Sequence, residues 1–189
     1  MKAILIERAQ TVGEEIANAI SHGLGFLLAV ASLPVLVAHM QAQGSIINVV
    51  SVCVFSGTMM LLYLVSTIFH ALPEGRAKSR LNRLDHSAIY LFIAGSYTPF
   101  MLGALQGVWG WTLLGIVWTA AAVGVTAKLL NRFKHPLLST GLYVAMGWVA
   151  VIGAGPMMER VSTAGIVWLV VGGLSYTLGA VVFLLDNRV

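Results

Sequence analysis

The stretch Ile46–His86, IINVVSVCVFSGTMMLLYLVSTIFHALPEGRAKSRLNRLDH, carries the reading that decides the fold. A long run without Asp, Glu, Lys or Arg is followed by a short basic segment, and a second apolar run then begins. A helix needs about 20 predominantly apolar residues to cross the hydrocarbon core of a bilayer, and the first run is that long. The same alternation runs through the rest of the chain. It predicts six spans, at about 20–40, 46–71, 86–105, 109–130, 136–154 and 163–185.

The composition agrees. Of 189 residues, 58% are hydrophobic and 10% charged, and the mean hydropathy is +0.89, too apolar for a water-soluble core to absorb. The expected fold class is an all-α polytopic membrane helix bundle, formed as a single integral membrane domain over residues 1–189 with no room for a soluble one. The connections Gln41–Ser45 and Gln106–Val108 are so short that the helices they join must be antiparallel neighbours. The longest and most polar connection is Leu72–Leu84.

A net charge of +4 would suit a nucleic-acid partner if the basic residues formed a patch, but they are spread through the segments between apolar runs. Lys2, Arg8, Arg76, Lys78, Arg80, Arg83, Lys128, Lys134, Arg132 and Arg188 all fall on one side of a six-span chain, and only Arg160 falls on the other. The positive-inside rule makes the rich side cytoplasmic, so the N-terminus and residue 189 are expected there. The expected partner is membrane lipid, with no nucleic acid, and the oligomeric state is not legible. The start MKAILIERAQTVGEE is unlike a cleavable signal, so the first helix is expected to be retained. Cys53 is the single cysteine and has no partner for a disulfide or a thiolate metal pair. Glycines at 141, 147, 153, 155, 172, 173 and 179 read as helix-packing positions.

Ionisable residues inside spans are expensive, and they point to function. Glu15, Asn18 and His22 share one face of the first helix at i, i+3 and i+7, with Ser21 beside it. Ser66 and His70 stand one turn apart near the end of the second span. Asp85 and His86 open the third, where the carboxylate also suits a helix cap. All of these lie at the cytoplasmic ends of their helices. Imidazole with a carboxylate and a hydroxyl suits zinc, which lowers the pKa of a bound water to about 7. By this reading His70 is the metal ligand, Asp85 and Ser66 act in catalysis, and Glu15, Asn18, His22 and His86 are supporting polar residues. His22 and His86 are also candidates to complete the ligand set, whereas His39 and His135 lie elsewhere. A serine hydrolase built on Ser66 and His70 is weaker, because i, i+4 spacing on a helix provides no oxyanion hole. In the third span, Pro99 frees a backbone carbonyl that Ser96 or Thr98 could satisfy, and a kink is expected there. Asp85 with Ser96 and His86 with Tyr97 recur eleven residues apart, which fits either a polar stripe or interhelical hydrogen bonding.

EEIANAISHGLG at 14–25, STIFHALPEGRAK at 66–78 and LDHSAIYLFIAGSYTPF at 84–100 together resemble the bacterial hemolysin III family. That family sits within the progestin and adipoQ receptor superfamily, which includes the adiponectin receptors. YVAMGW at 143–148 and GGLSYTLGAVVF at 172–183 extend the resemblance along the whole chain. It implies a seven-helix bundle in the bacterial inner membrane, with zinc near the cytoplasmic end held by His70 and by two histidines of a seventh helix. Ser66 and Asp85 would belong to the same site, Asp85 engaging zinc-bound water. The sequence ends at LLDNRV with no H-x-x-x-H helix after the sixth span, so the resemblance implies either a truncation or a closing element from another chain. Three functions are consistent with this reading: a zinc-dependent hydrolase of lipid amides or esters, a membrane-permeabilising protein, and a receptor or sensor with a structural metal.

Overall fold

The computed structural model describes residues 10–133 and 136–186. Among these residues it is helical throughout, without strands: α1 (Val12–Ala42), α2 (Ile46–Ala71), α3 (Arg76–Pro99), α4 (Gly107–Leu129), α5 (Pro136–Trp148), α6 (Ala154–Arg160) and α7 (Thr163–Asp186). Six of the resulting segments are long and apolar enough to cross a membrane, because α3 continues through π-helical turns at Phe100–Leu105 and α5 joins α6 through a 3₁₀ segment at Val149–Gly153. The protein is a polytopic membrane helix bundle. Lys2, Arg8, Lys134, His135 and Arg188 lie outside the described residues.

Several helices extend beyond the apolar windows read from the sequence. The α1 helix starts at Val12, where Thr11 accepts from the Glu14 amide at 3.3 Å and the Glu14 carboxylate accepts from the Thr11 amide at 2.7 Å. This reciprocal pair satisfies two amides that a helix start leaves open. The α1–α2 turn closes on Gly44, whose φ of +72° is a conformation glycine adopts without strain. The segment Leu72–Leu84 is not a long connection. Only Leu72–Gly75 lies outside helix, and α3 begins at Arg76.

The centre of the bundle is α3, which packs against α2, α4 and α5 and supplies Tyr90, Ile93, Ala94 and Tyr97 to the core. Leu113, Val117 and Ala121 of α4 and Tyr143 and Met146 of α5 complete it. Leu28, Ile46, Val108, Trp168 and Leu178 point outward, as apolar side chains do when lipid is the solvent. The outer helices are α1, packed against α2, and α7, packed against α5 and α6. This position corrects the reading of the late glycines. Gly147 meets the Tyr176 ring and Gly153 meets Leu113, but Gly141, Gly155, Gly172, Gly173 and Gly179 have no described neighbour where a Cβ would stand.

Around Pro99 the expected repair is not made. Proline removes the amide that would bond the Gly95 carbonyl. Ser96 instead donates to Ile93 O at 2.8 Å and Thr98 to Ala94 O at 3.0 Å. The chain responds by widening into the π turns that follow. The recurrence at eleven residues resolves only in part into hydrogen bonding between helices, since the Ser96 and His86 side chains bond carbonyls of their own helix. The Tyr97 hydroxyl donates to the carbonyls of Met146 (2.9 Å) and Gly147 (2.6 Å) and accepts from the Ala150 amide, while Tyr143 donates to the His86 carbonyl at 2.7 Å.

Candidate functional site

The end of the bundle that carries Arg76, Arg80 and Arg83 also gathers the ionisable side chains of α1, α2 and α3. Helix periodicity explains the gathering. Glu15 and His22 are seven residues apart on α1, Ser66 and His70 four apart on α2, and Lys78 and Asp85 seven apart on α3, so each pair shares the face turned to its neighbours.

Two linked sets result. In the first, His70 Nδ1 lies 2.7 Å from Glu15 Oε2, and Lys78 Nζ lies 2.7 Å from Glu15 Oε1. Lys78 is only 6% exposed; it also donates to the Leu72 carbonyl at 3.1 Å and stands 5.1 Å from the centroid of the Phe69 ring. In the second set, His22 Nδ1 lies 2.8 Å from Ser66 Oγ, and the buried Ser66 neighbours the Asp85 side chain. An Asp85 carboxylate would accept from the Ser66 hydroxyl, which would then accept from His22 Nδ1–H. The His22 and His70 ring centroids are 5.6 Å apart and join the two sets. Asp85 Oδ1 is buried and has no hydrogen-bond partner among the described residues.

Four of the residues read from the sequence meet here with Glu15: His22, Ser66, His70 and Asp85. The capping alternative for Asp85 does not hold, since α3 starts nine positions earlier, at Arg76. Asn18 does not join the site; it bonds Gln10 at 3.0 Å on an exposed face. His86 is adjacent to Asp85, but its Nδ1 donates to Asn82 O, 2.7 Å away on its own helix. His39 pairs with Gln43 at the other end of α1. Lys78 is the residue that sequence reasoning missed. Its seven-residue spacing from Asp85 was the available signal, hidden because the segment read as a loop.

Whether these donors suit a metal depends on their number as well as their kind. Two imidazoles, a carboxylate with an open oxygen and a hydroxyl are the ligand chemistry of zinc. Among the described residues, however, no three His, Cys, Asp or Glu side chains converge closely enough to hold an ion. The residues present therefore fit one wall of a metal site and would need donors from elsewhere to complete it.

Fold and site together define a polytopic helical membrane protein with a half-buried imidazole–carboxylate cluster at its basic end. Comparison with known proteins narrows this class. The haemolysin-III related family profile matches residues 10–188, and the chain belongs to that family. It is 43% identical to the Hemolysin-3 homolog of Bacillus subtilis (strain 168) over 174 residues, covering 92% of this chain and 82% of the relative. It is 42% identical to Hemolysin-3 of Bacillus cereus over 178 residues, covering 94% and 81%. The human Monocyte to macrophage differentiation factor is 28% identical over 186 residues, covering 94% and 74%. No solved structure matches the chain.

Proposed function

We propose that this protein is a zinc-dependent hydrolase of lipid amide or ester bonds, working at the cytoplasmic side of the cell membrane. The observation that carries the reading is Asp85 Oδ1, a buried carboxylate oxygen without a partner beside two imidazoles and a hydroxyl. Ionisable groups at such a depth are costly, and a working role accounts for their retention. His70 would hold the metal, with His22 as the nearest additional imidazole. When bound, zinc supplies Lewis acidity and lowers the pKa of a bound water. Asp85 Oδ1 orients the attacking water by accepting its hydrogen bond, and the Ser66 donation to the other side of the carboxylate holds that oxygen in place. His22 completes the chain by donating to Ser66. The excess of basic residues at this end supports a site on the cytoplasmic face, within reach of a lipid carbonyl near the headgroups.

Zinc content and lipid hydrolysis, measured on protein reconstituted in liposomes, test the reading. Wild type should retain zinc and release product, His70→Ala should lose both, and Asp85→Asn should keep zinc while losing turnover by at least 100-fold. Equal, negligible zinc in wild type and His70→Ala would refute it. A second reading draws on the Hemolysin-3 name of the relatives: the protein permeabilises membranes. Dye release that survives both substitutions would favour permeabilisation over hydrolysis.

A further inference from the structure

The least expected feature of the site is a lysine that is almost buried in it. The Lys78 ammonium is held by the Leu72 carbonyl, the Glu15 carboxylate and the face of Phe69, with the exposed Glu74 carboxylate further off at 3.8 Å. Both Glu15 oxygens are engaged, Oε1 by Lys78 and Oε2 by His70 Nδ1. A carboxylate fixed against an ammonium accepts and does not donate, so the proton in the second contact belongs to His70 Nδ1. In the neutral ring His70 Nε2 is then the lone-pair nitrogen. The Phe69 ring, 4.7 Å from the His70 centroid, packs against the same imidazole and limits its rotation.

We propose that Glu15 and Lys78 form a positioning pair that holds His70 as the Nδ1–H tautomer and so presents Nε2 as its ligating nitrogen. Lys78 neutralises the carboxylate, and His70 therefore meets a balanced ion pair, not a bare anion. It also fixes the carboxylate in the rotamer that faces His70. A carboxylate behind an imidazole raises its basicity as a ligand and sets its orientation, an effect worth 10–100-fold in metal affinity where measured. The ligand role of Nε2 rests on the proposed metal-dependent function; the tautomer assignment does not.

The pair also links three helices, so the test must separate positioning from clamping. Solid-state ¹⁵N spectra of histidine-labelled full-length protein in liposomes, assigned by comparison with His70→Gln, report which ring nitrogen carries the proton. Wild type should show His70 protonated at Nδ1. Glu15→Leu should move it to a mixture or to Nε2–H, and Glu15→Gln, whose amide oxygen can still accept, should keep Nδ1–H. The exchange Glu15→Lys with Lys78→Glu provides the decisive arm, because it preserves an ion pair but places an ammonium where His70 needs an acceptor. Positioning predicts loss of the Nδ1–H form in the exchanged protein and a 10–100-fold weaker zinc affinity in Glu15→Leu, largely restored in Glu15→Gln. An unchanged His70 tautomer in both the Glu15→Leu and the exchanged protein would overturn the inference. If wild type retains no zinc, the hydrolase reading fails, while the tautomer result still decides the positioning role.

Discussion

The Lys78–Glu15 contact gives a prediction whose size follows from the coordinates. Two unit charges 2.7 Å apart attract by about 6 kcal/mol at an effective dielectric near 20. Removing both groups from water offsets most of that, at several kcal/mol per ion, so the pair as a whole adds little. Breaking it is different, because the charge left behind keeps only weaker partners, Glu74 at 3.8 Å for Lys78 or the His70 imidazole for Glu15; for fully buried pairs the loss is about 3–5 kcal/mol. The Glu15 side chain is 17% exposed, so part of its charge stays hydrated and the lower part of that range applies. Lys78→Met and Glu15→Gln should thus each cost about 3 kcal/mol. The double variant should be more stable than the single losses together imply by about 2 kcal/mol, since neither charge is then stranded. Reversible unfolding of purified protein in mixed micelles, followed by tryptophan fluorescence against SDS fraction, measures all three. A coupling below about 0.5 kcal/mol would refute the reasoning, for it would mean the two side chains act independently.

Two further outcomes test the packing that carries the site. A Cβ at Gly124 would stand 2.5–2.8 Å from ring atoms of Tyr90, which is fully buried and stacks on Tyr143 at 4.3 Å, so Gly124→Ala should destabilise by about 1–3 kcal/mol. Gly115→Ala on the same helix meets nothing within 4 Å and should be neutral or slightly stabilising in the same titration. Tyr97→Phe removes a hydroxyl that serves Met146, Gly147 and Ala150 where α5 gives way to the 3₁₀ segment. Stranding these buried groups costs about 1–3 kcal/mol, and hydrogen exchange at the Ala150 amide should quicken roughly tenfold or more.

How much of this was legible depended on whether the physics was local. In lipid a long apolar run must satisfy its own backbone, so helix follows from hydropathy alone, and Ile46–Ala71 could hardly be read otherwise. Helix ends that leave the hydrocarbon obey different rules. Arg76–Leu84 is polar yet helical, because its turns pack Lys78 inward against α1 and α2 while Arg76 and Arg80 stay exposed. A hydropathy reading sees only four basic residues there, and an orientation rule counts them as equals. Ser66 with His70 was visible because i, i+4 spacing is a local fact. Glu15 with His70 spans 55 positions, and the sequence offered only that each lay near the same end of its helix. The break at Val149–Gly153 stands beside Gly153, Gly155 and Pro156, a local mark that the apolar run masked, and the Ala150 amide there donates to the Tyr97 hydroxyl of α3.

The site and the seating of α1 are one structure, which changes how loss of function must be interpreted. Of the helix windows, that of α1 is among the least buried, at 6%, and its described packing is against α2. Water exclusion does not press helices together in lipid; close approach of small residues and polar links does. Along the α1–α2 seam the close approaches are Gly23 to Thr67 and Gly25 to the Tyr63 ring. The polar links are His22 to Ser66 and Glu15 to His70, the same contacts that order the candidate site. Substituting Ser66 or His70 therefore removes a chemical group and loosens a helix in one step. A loss of turnover is evidence about chemistry only if α1 stays seated, which a cysteine cross-link between the lipid-buried parts of α1 and α2, formed at the wild-type rate in the variant, would establish. Conversely, restored activity on cross-linking a Ser66→Ala protein would assign the hydroxyl to the seam and leave Asp85 as the group that acts.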